Sequence, residues 1–225
     1  MRMVSDSGLA AVVSALPGVP RVVAGGNFAT PWQALAVIDE AIAEYRLFML
    51  NAQQGVPDRD GVILESAFIG PGMRDRKGLR YYPCRLSLVP VMLTGTLPPD
   101  VVLVQTSPPV DGTVSLGTEV NVLPAAIEAA RDRGGLVIAQ VNRYMPYTYG
   151  DAVLPMGDID YGIEADIPLA SPPPRVPLRT SLAIGDRVAD LVPDVDGPQS
   201  CHPAGAHPSA RDELREAGRE LGFAV

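Results

Sequence analysis

Cysteine, histidine and positive charge are all scarce in this chain, and each scarcity excludes something. The two cysteines, Cys84 and Cys201, stand far apart with no zinc-like spacing. That rules against a disulfide scaffold and fits a reduced, cytoplasmic protein with free thiols. The two histidines, His202 and His207, share one Pro/Gly-rich stretch, so no Ser-His-Asp arrangement is visible. With Cys201 they make three potential metal ligands and no fourth nearby, and no metal site is expected. Lysine and arginine number 18 against 26 acids, for a net charge of -8. An acidic surface repels nucleic acid and anionic lipid, so neither is an expected partner. The apolar run near the N-terminus is short and broken by Asp6 and Pro17–Gly18. It reads neither as a signal peptide nor as a membrane span, and the expectation is a soluble, cytoplasmic protein.

What is present is core material and punctuation. Of 225 residues, 47% are apolar, and Gly (22) and Pro (23) supply many turns. The run Arg21–Ala24 reads as a strand and Gly25–Gly26–Asn27 as a turn. Thr30–Pro31 reads as a helix start with Thr30 as cap, and Leu35, Ile38, Ile42 and Tyr45 recur at helical spacing. A second apolar run, Arg46–Leu50, completes a βαβ unit. Further strands are expected at Gly61–Phe68, Val101–Gln105 and Leu136–Val141, with a short extended piece at Val114–Leu116 and a strand or connector at Pro83–Pro90. Pro124–Arg133 reads as a helix stopped by Gly134–Gly135. Continuous apolar strands alternating with helices predict an α/β fold, a parallel-rich sheet with helices on both faces. The expected organisation is an α/β domain over 1–169, a Pro-rich linker over 170–183 and the start of a second half over 184–225. In the last part, Ile184–Leu191 and Arg211–Leu221 read as helices and Pro193–Pro208 as irregular.

Three stretches follow expected strands and carry most of the polar chemistry: Val104–Gly117, Gln140–Asp151 and Gly157–Pro168. In open α/β sheets ligands bind outside the carboxyl ends of the strands. Gln105, Ser107, Asn142 and Tyr149 are therefore candidate ligand contacts, although turns after strands use Ser, Pro, Asp and Gly for backbone reasons alone. Gly25–Gly26–Asn27 before a helix can offer N–H donors to a carboxylate or phosphate, or simply form a tight turn.

Together and in this order, these stretches resemble the acetyl-CoA hydrolase/transferase family, which includes 4-hydroxybutyrate and butyrate CoA-transferases. The family reads S-P-P/M-D…G…S-L-G, as here over Ser107–Gly117. Its block E-V-N…N-M-P-R-T-F-G-D corresponds to Gln140-Val-Asn-Arg-Tyr-Met-Pro-Tyr-Thr-Tyr-Gly-Asp151, with Gln140 and Tyr147 at the E and R positions. Its block D-I-D-Y-I-V-E-V-D corresponds to Asp158–Asp166, and its P-x-x-L-S-E-I-P to Pro83–Pro90, with Leu88 where the acid usually sits. The resemblance implies two similar α/β halves with the active site between them, and coenzyme A as a substrate. A glutamate carboxylate attacks the acyl-CoA thioester, and the reaction runs through a mixed anhydride and an enzyme-CoA thioester to a second carboxylic acid. Water intercepting either intermediate makes the site a hydrolase. The half present here then shapes the acyl pocket, and the resemblance adds Met145 and Pro146 to Gly25, Gly26, Asn27, Gln105, Ser107, Asn142 and Tyr149 as substrate-binding candidates.

The sequence departs from the family after Leu191–Asp194. There Cys201, His202 and Pro203 replace the Q-L-G positions, and a proline has no N–H to give an oxyanion. The H-T-E-M segment that carries the family's catalytic glutamate falls beyond Val225. No catalytic residue is therefore expected in this chain, and a second subunit resembling the family's C-terminal half is expected to supply the glutamate. The alternatives are a non-catalytic remnant and a repurposed biosynthetic protein acting on an acyl thioester. Glu65, Glu119 and Glu164 do not match the nucleophile's position and read as surface or hydrogen-bonded structural acids. The Arg74–Arg80 cluster reads either as a CoA-phosphate contact or as a solvated loop. Tyr144, Tyr147 and Tyr149 read as pocket lining or as a lid.

Overall fold

A computed structural model describes residues 1–171 and 178–191. The chain divides into two compact units, Met1–Ala170 and Ser171–Val225. The strands are β1 (Arg2–Met3), β2 (Arg21–Ala24), β3 (Tyr45–Phe48), β4 (Val62–Ser66), β5 (Arg80–Tyr81), β6 (Val101–Thr106), β7 (Thr113–Ser115), β8 (Leu136–Asn142), β9 (Val153–Pro155) and β10 (Tyr161–Ala165). The helices are α1 (Asp6–Val13), α2 (Trp32–Ala41), α3 (Val89–Thr94), α4 (Leu123–Arg131) and α5 (Arg179–Leu191). Eight strands form one sheet in the order β1-β10-β8-β6-β2-β3-β4-β5, and all its pairings are parallel. β7 and β9 make a separate antiparallel pair.

Side-chain alternation along the strands builds two cores. Val22, Ala24, Leu47, Val101, Leu103 and Ile138 pack with Leu9 and Val13 of α1 and with Ala34, Leu35 and Ile38 of α2. Val23, Phe48, Val102, Val104, Val137 and Ala139 pack with Val89 and Leu93 of α3 and with Leu123, Ile127 and Ala130 of α4. Helices thus cover both faces, as the apolar strands require. From β2 the chain runs outward through β3, β4 and β5, then returns to β2's other side with β6 and continues through β8 and β10. The order reverses between β2 and β6, and this switch point is where an open parallel sheet leaves a crevice at its carboxyl ends.

Several local expectations are corrected. α2 begins after Pro31, whose ring fixes φ for the entry, and Thr30 makes no side-chain cap. Its hydroxyl instead donates to the Asn27 carbonyl at 3.3 Å. α2 stops at Ala41, so Ile42 and Tyr45 lie beyond it, in its cap and in β3. Pro83–Pro90 is not a strand: a 3-10 turn at Leu86–Leu88 leads into α3, with Pro90 in its first turn, where its missing N–H is harmless. The N-terminal apolar run forms β1 and α1, and Ser5 caps α1 by accepting the Gly8 N–H at 3.2 Å. Gly134, at φ 72°, ends the turn after α4 as its sequence suggests. α5 starts earlier than Ile184. The Pro193–Pro208 stretch, the Arg211–Leu221 helix and residues 172–177 of the linker lie outside the described residues.

Candidate functional site

The site is built at the carboxyl ends of β2, β6 and β8. In the ladder, Val22 pairs with Val101, Val23 with Val102 and Ala24 with Leu103. The Gly25 N–H continues it by donating to the Leu103 carbonyl at 3.0 Å. The paired register ends at Ala24 and Leu103, just short of Gly26 and Gln105, and β8 sets Gln140 beside Gln105. Gly26 is buried, and a Cβ there would stand 1.9 Å from the Leu50 carbonyl oxygen. Only glycine fits where the turn crosses the end of β3.

Gln105, 5% exposed, is oriented by its neighbours. The Gln140 side chain accepts the Ala34 N–H, in the first turn of α2, through Oε1 at 3.1 Å, so its Nε2 must point the other way. That Nε2 donates to Gln105 Oε1 at 2.9 Å. Asn142 accepts the N–H groups of Tyr144 and Ile167 through Oδ1, and its Nδ2 donates to the Ile167 carbonyl at 2.7 Å and to Gln105 Oε1 at 2.9 Å. Two donors on one atom fix Gln105's amide, leaving its Nε2 without a hydrogen-bond partner among the described residues. The Gly26 N–H is also unpaired among the described residues. Each of these donors, at the end of β2 and of β6, can give a hydrogen bond to a carbonyl or carboxylate oxygen.

The remaining sequence candidates divide by use. Ser107 is 1% exposed, and its hydroxyl donates to the Pro108 carbonyl at 2.9 Å while accepting the Ser115 N–H at 3.0 Å. Its groups close the turn between β6 and β7. Asn142, fully buried, orients Gln105. Met145 is buried against Gly117, whose φ of 61° and lack of a side chain make the room. Pro146 is exposed beside it. Tyr149 is 86% exposed and meets Tyr147 edge-on, with ring centroids 5.4 Å apart. The Tyr147 hydroxyl shares a hydrogen bond with Thr113 at 2.7 Å.

Three acids take different places. Glu164 is exposed. Glu65 has a fully buried side chain bonded by Arg21 Nε at 2.8 Å and by the Tyr82 hydroxyl at 3.0 Å. Burial, then that bond, raises the Tyr82 phenol. Glu119, 6% exposed, lies on the crest of the sheet, its Cγ 3.8 Å from where a Cβ at Gly25 would stand. Asn27 Nδ2 donates to its Oε2, and Asn121 Nδ2 donates to its Oε1 at 3.4 Å. Asn51 Nδ2 in turn donates to Asn27 Oδ1. Asn51 and Asn121 were not singled out in the sequence, where two scattered asparagines carry no motif. In the Arg74–Arg80 loop, Arg76 pairs with Asp58, and Arg80 lies 3.8 Å from Glu65. No group of three or more His, Cys, Asp or Glu able to hold a metal occurs among the described residues. Nor is any helix among them long and apolar enough to cross a membrane.

The profile of the acetyl-CoA hydrolase/transferase N-terminal domain matches residues 26–170, and so contains nearly all of this crest. The 4-hydroxybutyrate coenzyme A transferase of Clostridium kluyveri is 39% identical over 116 residues, which are 51% of this chain and 26% of that protein. The solved 4-hydroxybutyrate CoA-transferase of Porphyromonas gingivalis is 29% identical with a TM-score of 0.61, over 86% of this chain and 46% of that one. RipA from Yersinia pestis, 22% identical, has a TM-score of 0.72 over 86% of this chain and 49% of its own, and shows the fold alone. The chain spans less than half the length of each of these relatives. A parallel sheet with its crevice between β2 and β6, and a profile match over most of that sheet, place the chain in the acetyl-CoA hydrolase/transferase family, as a bearer of its N-terminal domain.

Proposed function

We propose that this chain is the pocket-forming half of an acyl-CoA transferase or thioester hydrolase, with the catalytic glutamate supplied by a second, cytoplasmic polypeptide. The observation that supports it is two unmatched donors, the Gly26 N–H and Gln105 Nε2, just past the end of β2 and at the end of β6, the strands that flank the switch point. An acyl-CoA thioester carbonyl, or the carboxylate of the acceptor acid, supplies the oxygen these donors lack. The partner's glutamate attacks the thioester carbonyl carbon, the C–S bond breaks, and CoA leaves as the thiolate from an acyl-glutamyl anhydride. The thiolate then attacks the glutamyl carbonyl, releasing the first acid as carboxylate and leaving an enzyme-CoA thioester. The second acid reverses both steps. In each tetrahedral intermediate, charge gathers on one oxygen, and donors already fixed by Gln140, Asn142 and the β2 turn stabilise it without reorganising.

The test is purification of the tagged chain from its native cells, followed by a CoA-exchange assay between butyryl-CoA and acetate. The expected result is a stoichiometric second chain resembling the family's C-terminal half, with exchange activity in the complex and none in the isolated 225-residue chain. A chain that purifies by itself and exchanges nothing overturns the proposal in favour of a non-catalytic relative. Activity without any partner overturns the split arrangement.

A further inference from the structure

Glu119 is the one acid on the crest whose described partners are all neutral. Gly25, Asn27 and Asn121 lie against it, and none of them titrates. A nearly buried carboxyl without a cation is costly unless its hydrogen bonds are provided, and here two asparagine amides provide them.

The asparagines are themselves unusual. Asn27, Asn51 and Asn121 have φ values of 49°, 47° and 40°, in the left-handed region that L-residues other than glycine seldom adopt. Such a conformation persists where its surroundings over-determine it. For Asn27 they do. Its N–H donates to the Asn51 carbonyl at 3.2 Å and its Oδ1 accepts Asn51 Nδ2. Its carbonyl accepts the Thr30 hydroxyl, and its Nδ2 ends on Glu119. The Asn51–Asn27–Glu119–Asn121 chain therefore crosses from the end of β3, over the end of β2, to the loop entering α4. Every amide in it donates toward the carboxyl.

We propose that Glu119 is a positioning residue of the ligand site: through Asn27 it holds the Gly25–Gly26–Asn27 turn, and so the direction of the Gly26 N–H. The claim that this N–H meets a ligand rests on the function proposed above. The claim that Glu119 fixes the turn does not. Glu119 lies on the α4 side of the sheet and Gln105 on the α2 side, so the two donors are set by independent networks. One runs through Gln140 and Asn142, the other through Asn27.

The experiment is 1H–15N NMR on the full chain with its Glu119→Gln and Glu119→Ala variants, followed by butyryl-CoA titration of each. In the wild type, the Asn27 side-chain signal should move with the ionisation of Glu119. Glu119→Gln, which keeps an acceptor for Asn27, should leave the Gly26 and Asn27 backbone signals in place and abolish that pH response. Glu119→Ala should shift both backbone signals, leave the Gln105 side-chain signal unmoved, and weaken butyryl-CoA binding on the order of tenfold, the loss expected for one misdirected hydrogen bond. If Glu119→Ala does not fold, the pH response of the wild type and its absence in Glu119→Gln decide the matter. Unchanged Gly26 and Asn27 signals in Glu119→Ala, or an Asn27 signal in the wild type that ignores pH, overturn the positioning role. Shifted signals with no butyryl-CoA binding by any form leave the positioning role standing and sink the ligand reading.

Discussion

Burial determines the sign of Glu119's contribution to stability. Desolvation holds its carboxyl above the usual carboxylate range, and the bonds from Asn27 and Asn121 oppose the rise without cancelling it. A group whose folded-state pKa lies above its unfolded one favours folding when protonated and loses that contribution as pH rises through the folded value. The wild type should therefore lose stability relative to Glu119→Gln as pH goes from about 4 to about 7. Urea denaturation of both proteins across that range measures it, and a gap that moves the other way would contradict burial as the dominant cause. Tyr45 shows the same physics in a group that never ionises at ordinary pH. Burial first, and Asp39 second, push its phenol well up, and it remains a donor to Asp39 Oδ1 at 3.0 Å.

At the scale of elements, Gln140 ties two of them together. One end of its amide satisfies the Ala34 N–H in the first turn of α2, and the other orients Gln105 on β6. Gln140→Leu should destabilise the protein by about 1–3 kcal/mol, since it leaves a buried N–H unpaired and frees Gln105 to turn over. Thermal unfolding checks the first effect, and an unchanged midpoint would remove Gln140 from the account. The sequence revealed much of this layer. Val101–Gln105 and Leu136–Val141 could hardly be anything but buried strands, and Gln105 and Asn142 were visible as polar residues at their ends. What it hid was relational. Gln140 appeared only as a mismatch to a family glutamate, because its value lies in contacts with Ala34 and Gln105, 106 and 35 residues away. Glu119 was taken for a structural acid since nothing local marks it. Its neighbours Asn27 and Asn51 reach it only once β2 and β3 lie side by side. Of the two readings of Pro83–Pro90, the strand fails and the connector holds up to Leu88, and what the sequence did not show is that Pro90 opens a helix.

For the whole molecule, stability should be graded outward from the sheet's middle. β2, β6 and β8 are buried on both faces, with Val22, Val102, Leu103 and Ile138 all at or below 1% exposure. Their amides should exchange with solvent only through global unfolding, while those of the β7–β9 pair exchange by local opening. Native-state hydrogen exchange tests this, and fast exchange at Leu103 or Ile138 would count against the sheet as the cooperative unit. The ends of the same sheet have a different consequence. β1 and β5 are each two residues long, and Arg2, Met3, Arg80 and Tyr81 are exposed. A strand from another molecule would find too few free N–H and C=O groups to template a ladder, with an arginine in each place. Although its middle strands are continuously apolar, this parallel sheet offers little for growth at either side. That protects an aggregation-prone architecture from polymerising through its edges.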